Sequence, residues 1–193
     1  MNRHFFIAVP LPSDIKAALN DKCEKMKTDV PFKRWVHQED YHITLAFLGH
    51  ADEKQLQDVM DEARKNLLNI PPFELCIQGF KTFGRQEYPR ILWADLLESQ
   101  QLNIVQELVY QDCMKVGFEL DKKPFIPHIT VARKWDVACG KIPSEALMED
   151  NFQLPKFLVE EVVLYESKIE ETPKYYKKAV IRLDDNRSVK SLL

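Results

Sequence analysis

Two short segments of the chain combine histidine and threonine in a pattern that could carry acid–base chemistry. They are His42-Ile43-Thr44-Leu45 and His128-Ile129-Thr130-Val131. Each segment is apolar and β-branched apart from its polar pair, which predicts a buried strand. Side chains on a strand alternate between two faces, so the histidine and the threonine of each segment share one face. A polar pair is costly to bury without partners, and its repetition indicates that the two histidines face each other across one site.

A pair of facing histidines suits the in-line cleavage of a phosphodiester. This reaction needs a base on one side of phosphorus and an acid on the other. Imidazole titrates near neutral pH, so one ring can be neutral while its partner is charged. The hydroxyls of Thr44 and Thr130 can donate hydrogen bonds to the non-bridging phosphate oxygens. A single histidine on an apolar strand is more often a hydrogen-bonded core residue, and only the duplication favours catalysis.

The composition limits the classes of protein to which the chain can belong. Its 193 residues carry a formal charge of −3, and 45% of them are apolar and 30% charged. This composition is ordinary for a globular protein, and the charge argues against a long nucleic-acid footprint. The cysteines and histidines show no metal-ligand spacing, so we expect reduced thiols, a cytoplasmic location and no metal or other cofactor. No apolar run is long enough for a membrane span or a signal peptide.

The order of the predicted elements places the two histidine segments in similar surroundings. Predicted strands cover residues 3–9, 42–48, 73–80, 91–96, 127–133, 157–165 and 175–183, and predicted helices cover 13–27, 53–68 and 100–117. Ser13, Asp52 and Ser99 are the predicted N-caps of the helices. Strand, helix and histidine strand follow one another twice. Ile7 and Trp93 each lie 35 residues before the motif histidine that follows.

This repetition predicts one domain over residues 1–193, with approximate repeats at 3–83 and 90–166. The expected fold is α+β, with two pseudo-symmetric lobes that each contain a mostly antiparallel sheet and outer helices. The groove between the lobes would hold the histidines. Residues 134–155 show little pattern, with at most one helical turn near 144–148, and we expect the tail 184–193 to be frayed.

The two motifs resemble the paired HxTx motifs of the two-histidine phosphoesterase superfamily. Arg34-Trp35-Val36, the run from Leu45 to Gly49 and the run from Pro127 to Arg133 are similar to one branch of it, the bacterial and archaeal RNA 2′,3′-cyclic phosphodiesterases, once named 2′-5′ RNA ligases. The order of strands and helices also matches, so the resemblance covers nearly the whole chain. It implies hydrolysis of a terminal 2′,3′-cyclic phosphate on RNA or a nucleotide to a 2′-phosphomonoester.

The resemblance also implies roles for single residues. His42 would be the proton donor, His128 the proton acceptor and Arg133 a substrate-binding residue, whereas the residues alone do not decide which histidine is the acid. A guanidinium near phosphate offers two parallel hydrogen bonds and a fixed charge. Strict alternation nevertheless places Arg133 on the face opposite His128, so a strand end, a bulge or the long side chain must bring it to the site. The equivalent residue in the first motif is Phe47.

Two other functions fit the same residues. Ligation of RNA halves through a 2′-5′ linkage is the reverse chemistry at the same site. A non-catalytic module that binds a nucleotide or an RNA end would use the same groove, although a pure binder needs neither an acid nor a base. We expect RNA 3′ ends or cyclic nucleotides as the substrate, no membrane contact, and a monomer without an obligate protein partner.

Basic residues outside the motifs are less specific. Arg34-Trp35 could stack a base or contact a phosphate, but a tryptophan packed at the junction of the lobes is the simpler interpretation. Lys122-Lys123, and Lys174 with Lys177-Lys178, are more simply interpreted as solvated charge than as an RNA track, although one group could edge the groove.

Overall fold

The computed structural model describes residues 3–142 and 152–184. Within them the chain forms the strands β1 His4–Pro10, β2 Phe32–Trp35, β3 His42–Gly49, β4 Phe73–Leu75, β5 Ile77–Arg85, β6 Tyr88–Leu96, β7 Ile129–Trp135, β8 Phe157–Val159, β9 Glu161–Ser167 and β10 Tyr175–Arg182. The helices are α1 Ser13–Met26, α2 Glu53–Leu67 and α3 Gln100–Val116. The helical turn expected near 144–148, and the frayed tail from residue 185 onward, lie outside the described residues.

Local capping sets the helix boundaries. Asp52 accepts a hydrogen bond from the Gln55 amide at 2.8 Å, and the Gln55 side chain accepts one from the Asp52 amide, which forms a capping box for α2. Ser99 caps α3 as predicted. The prediction for Ser13 is wrong, because Pro12 occupies the N-cap position of α1 and no side chain caps this helix. Proline suits that position, since the start of a helix has backbone amides without intrahelical partners.

Two four-stranded antiparallel sheets form the body of the molecule. Sheet 1 has the order β10-β9-β1-β3, sheet 2 has the order β2-β7-β6-β5, and β4 and β8 pair as a separate ribbon. The single strands predicted at 73–80 and 157–165 are each divided in two, because the chain first pairs in this ribbon and then turns to join a sheet. The predicted α+β fold with antiparallel sheets and helices is confirmed.

The two sheets exchange strands between the halves of the chain. β2 comes from the first half but pairs with β7 in sheet 2, while β9 and β10 come from the second half and complete sheet 1. The unit common to both sheets is therefore β1-α1-β3 and β6-α3-β7. Ala8 lies opposite Thr44, and Trp93 lies opposite Thr130, so the structural equivalent of Trp93 is Ala8 and not Ile7.

One apolar core runs through both sheets and the helices. It includes fully buried residues from every part of the duplicated unit and from α2, namely Ile7, Leu19, Ile43, Leu67, Leu92, Leu102 and Ile129. Ile43 and Ile129 alternate with the motif residues, so the core lies on the sheet faces turned away from the histidines. Because the sheets share this core and β3 contacts β7, the two motif strands are held in one relative position.

Neither a membrane-spanning helix nor a disulfide occurs in residues 3–142 and 152–184. No helix in these ranges is both long and apolar enough to cross a membrane. All four cysteines lie in the same ranges and none forms a disulfide; Cys139 is exposed and the other three are buried.

Candidate active site

A β-bulge in β7 decides where Arg133 points. Trp93 on β6 pairs with Thr130, and the preceding residue of β6 pairs with Ala132, so Val131 lies between them without a partner. An extra residue in one strand shifts the alternation of faces beyond it. Arg133 therefore returns to the face that carries Thr130. Of the three ways in which Arg133 could reach the site, namely a strand end, a bulge or its long side chain, the structure shows the bulge.

The same irregularity occurs in β3. Ala8 on β1 pairs with Thr44, and the preceding residue of β1 pairs with Ala46, which leaves Leu45 without a partner. Phe47 consequently lies on the motif face, in the position that the arginine has in β7, and it is 58% exposed. The two motifs thus share a strand register and a bulge. We propose that the approximate repeats 3–83 and 90–166 contain this duplicated unit.

The structure brings the five predicted site residues together. His42 and Thr44 lie on β3, and Thr130 and Arg133 lie on β7, which contacts β3. His128 lies one residue before β7, although the strand was predicted to begin at 127. The early start was wrong because the chain before Ile129 does not pair with β6. Both histidines are half-buried and Arg133 is exposed.

The two histidines make the same hydrogen bond. Nδ1 of His42 lies 2.7 Å from the carbonyl oxygen of Asp40, and Nδ1 of His128 lies 2.7 Å from that of Ile126. A carbonyl oxygen can only accept, so each Nδ1 donates its hydrogen and the neutral ring keeps its lone pair on Nε2. Nε2 of His42 lies 3.0 Å from the hydroxyl of Thr44, which can donate to it. Nε2 is therefore the atom of each ring that can exchange a proton.

Burial and nearby positive charges disfavour the protonated form of both imidazoles. Each has two aromatic neighbours at centroid distances of 4.7 to 5.7 Å, Phe6 and Tyr175 for His42, Phe83 and Trp93 for His128. Burial lowers the pKa of His42 from its ordinary 6.5 to about 4; the Asp40 carbonyl opposes this shift, and the charges of His128 and Arg133 add to it. Burial also lowers the pKa of His128, and the charge of Arg133 adds to this effect. Both rings are therefore neutral near pH 7 in the free protein.

Asp40 ties the turn before β3 to the start of β10. Its carboxylate is 3% exposed and accepts hydrogen bonds from the backbone amides of Lys174 at 2.8 Å and Tyr175 at 3.1 Å. Its carbonyl oxygen accepts the Nδ1 hydrogen of His42. One residue thus positions both His42 and Tyr175. Asp40 was not among the predicted site residues, because acidic residues are common in the loops before strands and give no signal of a function.

Two cavities are lined by residues of the site, one by Arg133 and Tyr175 and the other by Thr44 and His128. One has a volume of about 590 Å³ and a largely polar lining that includes Arg34, Arg133, Lys174 and Tyr175. The other has a volume of about 800 Å³ and a mainly apolar lining that includes Phe47, Phe83, Phe125, Thr44 and His128. The site therefore has a cationic end and an aromatic end. Among the residues that the structure describes, no group of three or more His, Cys, Asp or Glu side chains is placed to hold a metal ion.

The sequence matches proteins of a known family. The sequence profile of the 2′-5′ RNA ligase superfamily matches residues 11–169. A protein of Bacillus subtilis (strain 168) named RNA 2′,3′-cyclic phosphodiesterase is 32% identical over 172 residues, which are 89% of this chain and 92% of that protein. The chain belongs to the 2′-5′ RNA ligase superfamily.

Other proteins similar to this superfamily member extend the comparison. A Geobacillus stearothermophilus protein, also named RNA 2′,3′-cyclic phosphodiesterase, is 42% identical over 89% of this chain but only 54% of its own length, so the chain spans about half of that relative. The structure of E. coli LigT complexed with 3′-AMP matches with a TM-score of 0.75 and 21% identity, covering 95% of this chain and 99% of that chain. A Thermus thermophilus structure matches with a TM-score of 0.73 and 24% identity, covering 94% and 98%. These structures share the fold.

Proposed function

We propose that this member of the 2′-5′ RNA ligase superfamily is an RNA 2′,3′-cyclic phosphodiesterase that opens a terminal 2′,3′-cyclic phosphate to a 2′-phosphomonoester. The observation that carries the proposal is the matched pair of histidines, each with Nδ1 bound to the carbonyl oxygen two residues earlier and Nε2 available for proton transfer. The names of the B. subtilis and G. stearothermophilus relatives support the same reaction.

Each motif supplies one proton-transfer group. His128 accepts a proton from the attacking water as its oxygen bonds to phosphorus, and His42 donates a proton to the ribose 3′-oxygen as its bond to phosphorus breaks. In-line displacement requires these two groups on opposite sides of phosphorus, and the histidines belong to two facing motifs. Thr44, Thr130 and Arg133 donate hydrogen bonds to the non-bridging oxygens.

His42 must gain a proton before it can act as the acid. Burial holds its pKa at about 4 in the free protein. A bound phosphate anion beside Nε2 favours the imidazolium and raises this pKa. The Thr44 hydroxyl, which lies 3.0 Å from Nε2 in the free protein, can then rotate to donate to the phosphate instead. Substrate binding thus prepares the proton donor.

We place this reaction in the cytoplasm and assign it to a monomer that acts on RNA 3′ ends or cyclic nucleotides. The four cysteines form no disulfide, which supports a reducing compartment. A monomer is sufficient because one chain supplies both motifs.

The direct test is incubation with 2′,3′-cyclic nucleotides in EDTA, with the product isomer identified. We expect a 2′-phosphate product and undiminished turnover in chelator. His42→Ala and His128→Ala should each lower turnover by about 100-fold or more, since general acid–base catalysis contributes at least this factor. His50→Ala is the matched control, because His50 is an exposed histidine outside both motifs.

Four outcomes would contradict the proposal. Loss of activity in EDTA with recovery on adding Zn²⁺ or Mn²⁺ would indicate a metal-dependent enzyme. A 3′-phosphate product would mean that the other ribose oxygen departs. A folded histidine variant with near wild-type turnover would remove that histidine from the mechanism. Nucleotide binding without any turnover would indicate a binding module.

A further inference from the structure

Two arginines lie opposite each other at the cationic end of the site. Arg34 on β2 pairs directly with Arg133 on β7, so the side chains leave the same face of sheet 2 from strands that lie about 5 Å apart. Both are exposed. Like charges in directly opposed positions destabilise a sheet. A repulsive pair of this kind at the edge of the groove indicates that an anion binds there.

Two other basic residues of sheet 2 have carboxylate partners, whereas Arg34 and Arg133 have none in the part of the chain that the structure describes. Lys33, next to Arg34 on β2, pairs with Asp136 at 3.1 Å. Lys81 on β5 pairs with Asp95 at 2.7 Å. Arg34 and Arg133, which are directly opposed where β2 and β7 pair, therefore place two positive charges without a carboxylate partner at this edge of the sheet.

The acidic residues of the adjoining cavity are already occupied. Arg34 and Arg133 line this cavity of about 590 Å³ together with Lys174. Glu24 forms an ion pair with Lys27. The buried carboxylate of Asp40 accepts backbone amides. The cavity therefore presents a net positive charge to a ligand.

The two arginines lie at different distances from the histidines. Arg133 lies on β7 three residues after Thr130 and, beyond the bulge at Val131, on the same face, so it would lie beside the reacting phosphate. Arg34 lies on β2, the edge strand of sheet 2, one strand further from β6. A ligand that contacts both arginines therefore extends away from the histidines, as a chain with a second phosphate does.

We propose that Arg34 binds the phosphodiester on the 5′ side of the terminal nucleotide and thereby makes the protein favour RNA ends over cyclic mononucleotides. This inference rests on the proposed function. The apolar cavity at the other end, lined by Phe47 and Phe83, suits a base and not a charged backbone. A guanidinium can bind the second phosphate through two parallel hydrogen bonds.

The test compares two substrates that differ by one phosphodiester. One is cytidine 2′,3′-cyclic phosphate, and the other is a dinucleotide with a 5′-hydroxyl and the same cyclic cytidine end. We expect wild-type kcat/KM to be about 10-fold or more higher for the dinucleotide, since a hydrogen bond to a charged group contributes about 1.5–3 kcal/mol. Arg34→Ala should remove this preference by raising the KM for the dinucleotide, while kcat/KM for the mononucleotide should stay within about 2-fold of the wild-type value. Arg34→Lys should keep part of the preference.

Lys33→Ala is the matched control, because it removes a positive charge from the same strand. This variant should leave kcat/KM for both substrates unchanged. A cyclic mononucleotide that carries a 5′-phosphate separates phosphate recognition from stacking of the added base, and it should also depend on Arg34. The Arg34 contribution should weaken between about 50 and 200 mM salt.

Other results would overturn the inference. If Arg34→Ala lowered kcat/KM equally for both substrates, Arg34 would act at the reacting phosphate. If it lowered kcat/KM for neither substrate, Arg34 would be a surface charge without a role in binding. If the wild type turns over neither substrate, the proposed function fails, and equilibrium binding of the dinucleotide decides the inference separately. Binding that is salt-dependent and weakened by Arg34→Ala supports the phosphate site, and binding that is indifferent to this change refutes it.

Discussion

Replacing Asp40 with alanine tests whether one buried carboxylate holds the two sides of the site together. Both amides that it binds, those of Lys174 and Tyr175, donate to the same oxygen, Oδ1, at 2.8 and 3.1 Å. Asp40 is 3% exposed, so alanine leaves two backbone donors with little access to water. Its backbone carbonyl, which binds His42, is unchanged in the variant.

The expected cost follows from the number of donors left without a partner. A buried unpaired donor costs about 1–3 kcal/mol, so two of them lower the free energy of unfolding by about 2–6 kcal/mol. This is a large part of the roughly 5–15 kcal/mol that stabilises a typical domain. Asp40→Asn can keep an oxygen at the Oδ1 position but loses the charge and the 3.1 Å contact of the Lys174 amide with Oδ2, so a loss of about 1–2 kcal/mol, smaller than in Asp40→Ala, is expected.

Urea unfolding followed by circular dichroism measures these differences. Glu39→Ala is the control, because Glu39 lies in the same turn but is exposed and pairs only with Lys16 at 2.9 Å, and exposed ion pairs contribute about 0–1 kcal/mol. Turnover should also fall in Asp40→Ala, since Tyr175 loses its anchor beside His42. A free energy of unfolding for Asp40→Ala within about 0.5 kcal/mol of the wild type would refute the reasoning.

Two further predictions concern the histidines. Because the pKa of His42 is lowered to about 4, the unfolded chain binds a proton between its ordinary 6.5 and this value while the folded chain does not. The contribution of His42 to the free energy of unfolding is then fully present above pH 6.5, and it falls by about 1–3 kcal/mol as the pH drops through this window. In urea unfolding, the free energy of unfolding of His42→Gln should decrease less between pH 6.5 and 4 than that of the wild type. Equal decreases in the two proteins would contradict the lowered pKa. The second prediction uses a cyclic substrate with sulfur in place of the ribose 3′-oxygen, which departs without a proton: it should largely rescue His42→Ala and leave His128→Ala impaired. Rescue of His128→Ala instead would exchange the two roles, and rescue of neither would mean that one histidine is not the acid.

Features that depend on near neighbours along the chain can be predicted from the amino-acid sequence alone. The two histidine–threonine pairs, the positions of most strands and helices, and the caps Asp52 and Ser99 all follow from residue type and short-range spacing. Ser13 shows the limit of such reasoning, because its type suits a cap but Pro12 takes the position. The division of residues 73–80 into β4 and β5 was also not predictable locally, since it depends on which strand each half pairs with.

The assembly of the site depends instead on contacts between segments that lie far apart in the sequence. The bulge at Val131 turns Arg133 toward the motif face, and a bulge arises from the register between two strands, not from one segment. The pairing of Arg34 with Arg133 requires β2 to cross into the other sheet. Asp40 binds an amide 134 residues away along the chain. Each contact joins residues distant in sequence, and their proximity is a property of the packed fold rather than of any local pattern.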